Sequence, residues 1–133
     1  MKLDIDYIEG ILKAVEDHPK SEMMQSDLMK AIEADKENEE DVDKFYYHMK
    51  RIEEANFLTC MHGDFGFLLH FSGRSLFDTS YELTLTGSEF LDAMRNDTMK
   101  SKLTSWFKDM TLEQIKTQTP VLLTRLISQG SLL

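Results

Sequence analysis

The segment from Leu83 to Ala93, LTLTGSEFLDA, constrains the fold more than any other part of this 133-residue chain. Alternating Leu and Thr read as a strand, and the residues after them carry an amphipathic helical pattern. Thr86 and Glu89 stand three apart, the spacing of a capping box in which hydroxyl and carboxylate reciprocally satisfy backbone N–H groups. A strand must therefore run into a helix with almost no connection between them.

Helical periodicity organises the N-terminal half. Residues Asp4 to Asp17 place Ile5, Ile8, Ile11, Leu12 and Val15 at intervals of three and four, the apolar stripe of a core-facing helix. Pro19 ends it, and Ser21 to Met24 leave room for a very short strand. A second helix is expected from Ser26, as N-cap, to Ala34, with Leu28, Met29 and Ile32 inward. The charged run Asp35 to Asp41 reads as a solvated turn. Asn38 is the expected cap of a third helix reaching Ala55, with Val42, Phe45, Met49 and Ile52 in the core.

From Phe57 the pattern changes to strand and turn residues. Phe57 to His62 and Phe65 to Phe71 read as two strands joined through Gly63-Asp64 into a hairpin, followed by a loop at Ser72 to Ser75. Tyr81 to Leu85 is the expected last strand, and Thr86 to Arg95 a fourth helix with Phe90, Leu91 and Met94 inward. Beyond Asp97 the chain reads as helical in pieces, with a second capping box at Thr111 and Gln114 and Pro120 in the first turn of a last helix.

Three helices, strands and a closing helix make an α+β chain on the winged helix-turn-helix plan, with helix three as recognition helix and the hairpin as wing. The expected organisation is a winged-helix domain over 1–96 and a helical C-terminal extension over 97–133.

The sequence also resembles a family of small winged-helix proteins of bacteriophages and prophages, catalogued as domain of unknown function twenty-five-thirteen. The resemblance rests on Met1 to Ile8 with Ile11-Leu12, on Tyr47-His48-Met49, and above all on the run from Leu83 to Thr98. It spans roughly Met1 to Leu126. It implies a winged-helix fold and a mobile-element origin, and it brings no assigned activity and so no catalytic residues.

Composition narrows the function. The net charge is −9. Met1 to Asn56 holds 8 Lys and Arg against 16 Asp and Glu, while the remainder is nearly balanced. An acidic field opposes phosphate contact, which supplies most of the affinity for double-stranded DNA. The single Cys60 leaves no partner for an internal disulfide and favours a reducing, cytoplasmic setting. No apolar run approaches the roughly 20 residues that span a bilayer, and the acidic start is unlike a secretory signal, so no membrane partner is expected.

The candidate nucleic-acid surface follows from helix geometry. With Val42, Phe45, Met49 and Ile52 inward, Lys44, Tyr47, His48 and Arg51 form a stripe facing largely away from the core, joined by Arg74 of the wing. Against it stand Glu39, Glu40, Asp41 and Asp43 in the half of the helix that would enter the major groove. Phe57, Phe65, Phe67, Phe71 and Phe77 crowd the wing, either as core or as a partner surface. Leu112, Ile115, Leu122 and Leu126 give the tail an apolar face, suited to packing back on the domain or to a homodimer that aligns two recognition helices.

Cys60, His62, His70 and Asp64 match no zinc spacing, so neither metal nor cofactor is expected. Neighbouring carboxylates such as Glu39-Glu40 and Glu53-Glu54 diverge on a helix, and the chain lacks a phosphate loop, an HExxH and a nucleophile motif. A non-enzymatic role follows: a nucleic-acid-binding or transcription-regulating module, or alternatively an acidic protein-interaction module acting as inhibitor or phosphate mimic on a host nucleic-acid-handling protein.

Overall fold

The computed structural model of the chain describes residues 1–70 and 73–108 together with 121 and 125, and for 69, 70, 73, 74 and 107 the description is of the backbone alone. The architecture is α+β. In order it runs α1 (Ile5–Asp17), β1 (Glu22–Met24), α2 (Gln25–Ala31), α3 (Glu39–Glu54), β2 (Leu58–Cys60), β3 (Phe67–His70), β4 (Gly73–Leu76), β5 (Ser80–Leu83), α4 (Leu85–Met94) and α5 (Asp97–Lys108).

Each long helix forms where its apolar period lies and is started by a local cap. In α1 the Asp4 carboxylate accepts from the Tyr7 amide at 3.2 Å, and Ile5, Ile8, Ile11, Leu12 and Val15 are all buried. In α3 the Asn38 side chain accepts from the Asp41 amide at 3.1 Å, and Phe45, Met49 and Ile52 are fully buried. Three acidic residues in the first turn of α3 meet the positive end of its dipole.

Helix α2 starts differently from the sequence expectation. Its N-cap position is Met24, which makes no side-chain cap bond. Ser26 lies inside the helix, where its amide donates to Asp78 Oδ1 at 3.1 Å and its hydroxyl to Oδ2 at 3.0 Å. A carboxylate 52 residues away thus caps α2. The helix also ends earlier, at Ala31, where Glu33 turns the chain with a positive φ of 59°.

The strands correct the expected hairpin. β2 pairs with β5, not with β3, in the register Leu58 with Leu83 and Cys60 with Tyr81. β1 lies antiparallel on the other side of β5, giving a sheet in the order β1-β5-β2. The true hairpin is β3 with β4, so residues 73–75, expected as loop, are strand. Alternation shows which residues are extended, whereas pairing depends on how the chain returns across the core.

The β2–β3 connection is held by buried polar groups. Gln25 Nε2 donates to the Gly66 carbonyl at 3.2 Å and to Tyr81 Oη at 3.0 Å, while Tyr81 Oη donates to the Phe65 carbonyl at 2.8 Å. Gly66 has a φ of 91°, and a Cβ there would stand 2.5 Å from Gln25 Nε2.

The N-cap of helix α4 lies two residues before the expected one. Thr84 is the N-cap, its Oγ1 accepting from the Gly87 amide at 2.9 Å, so Thr86 falls within the first turn. The same hydroxyl faces the Asn56 and Phe57 carbonyls at 2.6 and 3.0 Å, tying the cap to the α3–β2 turn. Phe90, Leu91 and Met94 are buried as read from the pattern. The boundary after residue 96 falls between α4 and α5, and α5 buries Met99 and Leu103 in the same core. No described helix is long and apolar enough to cross a membrane.

Candidate nucleic-acid interface

Helix α3 presents the stripe read from the sequence, but its four residues have different fates. Lys44 is the most accessible, its side chain 46% exposed. Its ammonium lies 3.5 Å from an Asp4 carboxylate oxygen and 4.7 Å above the Tyr7 ring. Both partners belong to the start of α1, and nothing in the sequence around α3 signals them.

Arg51 is mostly covered, its side chain 12% exposed. Its guanidinium forms a fork with Glu54, Nε to Oε2 at 2.9 Å and Nη2 to Oε1 at 3.1 Å, and lies 4.9 Å over the Tyr47 ring. Tyr47 is half-buried beneath it. Lys50 donates to Glu53 at 2.8 Å. Each of these cations on α3 already has a carboxylate of its own.

His48 leaves the stripe altogether. It is fully buried, with Nε2 accepting from the Asp4 amide at 3.0 Å and Nδ1 donating to the Lys44 carbonyl at 2.8 Å. Its ring lies 4.6 Å from that of Tyr7 and 5.1 Å from that of Tyr47. Burial, above all, holds its pKa below the usual imidazole range; the Lys44 carbonyl and the Asp4 charge oppose this, and the Lys44 and Arg51 charges add to it. The sequence is compatible with this placement: Phe45, His48, Met49 and Ile52 fall at i, i+3, i+4 and i+7. The histidine has the same spacing in the stripe as in the core face, so the helical period allows either side and the packing of α1 decides between them.

Beside the stripe lies a strongly acidic surface. Glu37, Glu39 and Glu40 are exposed and form no ion pair among the described residues. Asp35 and Asp41 instead organise the turn, Asp35 Oδ1 accepting from the Glu37 amide and Asp41 Oδ2 from the Asp35 amide, each at 2.9 Å. Glu37 and Glu39 line a shallow cleft of about 420 Å³ with Lys36, Val42 and Leu76.

Of the wing residues, Phe57, Phe65 and Phe67 are buried and Phe77 half-buried, so these four are chiefly core. Leu68 is 49% exposed. Arg74 is placed by its backbone in β4 only, and Phe71 lies outside the described residues. Leu112, Ile115, Leu122 and Leu126 of the expected dimer face, with the Thr111/Gln114 capping box and Pro120, also lie outside them.

Cys60 Sγ is 3.5 Å from Thr79 Oγ1, and the His62 ring stands edge-on to Phe77 at 5.1 Å. Among the described residues no three His, Cys, Asp or Glu side chains gather as metal ligands would.

A family model described as "Hypothetical protein (DUF2513)" matches residues 2–113. No curated protein and no solved structure matches the chain.

Proposed function

Because this chain belongs to the DUF2513 family, we propose that it is a winged-helix module that binds a protein with a basic, nucleic-acid-handling groove, offering carboxylates where that groove expects phosphates. It performs no catalysis in this reading. The winged-helix assignment rests on element order: α1, β1, α2 and α3 precede a sheet ordered β1-β5-β2, with the β3–β4 hairpin inserted between the last two strands as an elaborated wing. If the mobile-element origin implied by the resemblance holds, the partner is a host protein.

One observation carries the choice of partner. Lys50 and Arg51 on the would-be recognition helix are held by Glu53 and Glu54, and Lys44 is shared with Asp4. Glu37, Glu39 and Glu40 at the leading end of that helix form no ion pair among the described residues. Phosphate contact would require breaking the Arg51 fork and bringing a polyanion against three carboxylates, whereas a basic groove gains from both features.

The second reading, a DNA-binding or transcription-regulating module, is favoured by the accessible Lys44 beside Tyr47 on the same helix and by the winged-helix element order. Fluorescence anisotropy of a generic labelled duplex at low and at physiological salt separates the two. The acidic-module reading expects no binding at either. It also expects salt-sensitive retention of a basic cellular protein, lost in the Glu37→Gln/Glu39→Gln/Glu40→Gln variant. Salt-sensitive duplex binding that disappears in Lys44→Ala/Arg51→Ala would overturn it in favour of DNA.

A further inference from the structure

The burial of His48 has a chemical consequence of its own, independent of what the protein binds. A backbone amide can only donate and a carbonyl can only accept. The Asp4 amide at Nε2 and the Lys44 carbonyl at Nδ1 therefore set the tautomer: Nδ1 carries the proton and Nε2 is bare. The ring is neutral and has no free position. A second proton could enter only at Nε2, where it would point at the Asp4 N–H.

Apart from the Lys44 carbonyl and the Asp4 carboxylate, the groups around the ring do not favour an imidazolium. From α1 it faces Asp4 and Tyr7, and from α3 it faces Lys44, Tyr47 and Arg51. The Asp4 carboxylate is the one attractive charge among them, and it is already engaged by Lys44 at 3.5 Å and by the Tyr7 amide at 3.2 Å. The Arg51 charge is taken up by Glu54.

The residue whose amide His48 holds is also the residue that starts α1. Asp4 caps the helix through its side chain to Tyr7 and its carbonyl accepts from the Ile8 amide at 3.2 Å. We propose that His48 is an acid-sensitive latch: a proton on Nε2 displaces the Asp4 amide, and the N-terminal segment with the first turn of α1 comes off α3 while the remaining core stays folded. The Lys44–Asp4 and Lys44–Tyr7 contacts break in the same step, because both span the α1–α3 seam. Release therefore frees Lys44 and Tyr7 together, coupling local pH to the charge of the α3 surface.

The sign follows from linkage. A histidine whose folded pKa is lowered stabilises the closed form above its unfolded pKa of about 6.5, and that contribution is lost as pH falls. Between the two pKa values the opening constant rises about tenfold for each pH unit of acidification.

The test is amide hydrogen exchange of the full chain by NMR between about pH 5 and about pH 7.5, above the ordinary Asp range. It is read as protection factors beside the His48 ring titration. Asp4, Tyr7 and Ile8 are expected to lose about tenfold in protection per pH unit below about 6.5. The β2 and β5 amides are expected to stay protected. In His48→Gln, whose side-chain oxygen can accept from Asp4 but cannot ionise, the pH dependence should vanish; if that variant does not fold, the native titration decides alone. Protection at Asp4, Tyr7 and Ile8 that is flat with pH, or lost together with that of β2 and β5, would overturn the latch.

Discussion

The carbonyl oxygen of Phe57 lies 2.2 Å from where a Cβ on Gly87 would stand. Gly87 is in the first turn of α4, and Phe57 is in the turn between α3 and β2, so this contact lets the helix cap close on the sheet. The obstructing atom is backbone, itself held by the Thr84 amide at 3.1 Å. Gly87→Ala is expected to cost about 3 kcal/mol, an overpacking penalty that a rotamer change cannot relieve. Urea unfolding monitored by circular dichroism checks this, and a midpoint equal to that of the native protein would count against the packing described.

Tyr81→Phe removes the hydroxyl that bridges Gln25 and the Phe65 carbonyl inside the core. The ring still packs against Phe65 at 5.2 Å, so no large cavity forms. The cost expected is about 2 kcal/mol, from leaving buried polar partners unsatisfied. A loss in chemical denaturation below about 0.5 kcal/mol would mean that the network contributes little.

Arg51→Lys keeps the charge but loses the planar fork to Glu54 and the stacking on Tyr47. A stability loss of about 1 kcal/mol is expected, because the guanidinium is largely covered and only part of its pairing is screened by solvent. Thermal unfolding of the variant beside Arg51→Met separates packing from charge. Equal midpoints for native protein and Arg51→Lys would show that the fork is dispensable.

Burial, with the Asp41 and Asp4 carboxylates adding to it, raises the Tyr7 phenol to about 12. A folded pKa above the unfolded one of about 10 means that the neutral phenol's contribution is complete below pH 10 and is lost as pH rises toward 12. Tyr81 is shifted in the same direction, chiefly by its burial. Ultraviolet titration of tyrosinate should thus show Tyr7 and Tyr81 ionising late, together with alkaline unfolding. In Tyr7→Phe one late component should disappear; absence of any late component, with Tyr7 and Tyr81 titrating near pH 10, would contradict the burial.

Much of the helical framework was legible because it is written in local chemistry. The spacing of Ile5 to Val15, of Phe45 to Ile52 and of Phe90 to Met94 marks faces that must be covered, and Asn38 caps α3 three residues ahead of the amide it satisfies. The candidate stripe was legible only in part. Local periodicity specifies the helix that carries Lys44, Tyr47 and Arg51, but not which of its flanks α1 covers, and His48 lies on that flank.

By itself, then, the sequence determined where the helices run, which side chains need burial, and that the charge is concentrated in the first half, since each depends on neighbours within a turn or on simple composition. Tertiary structure decided the rest: that β2 pairs with β5, that Asp78 starts α2, that Thr84 rather than Thr86 caps α4, and that His48 serves the Asp4 amide. Each of these joins residues more than about twenty positions apart or chooses between two equally spaced local partners. The physical reason is that a backbone donor or acceptor leaving water takes whichever partner the packed core places within reach, and that placement is a property of the whole chain.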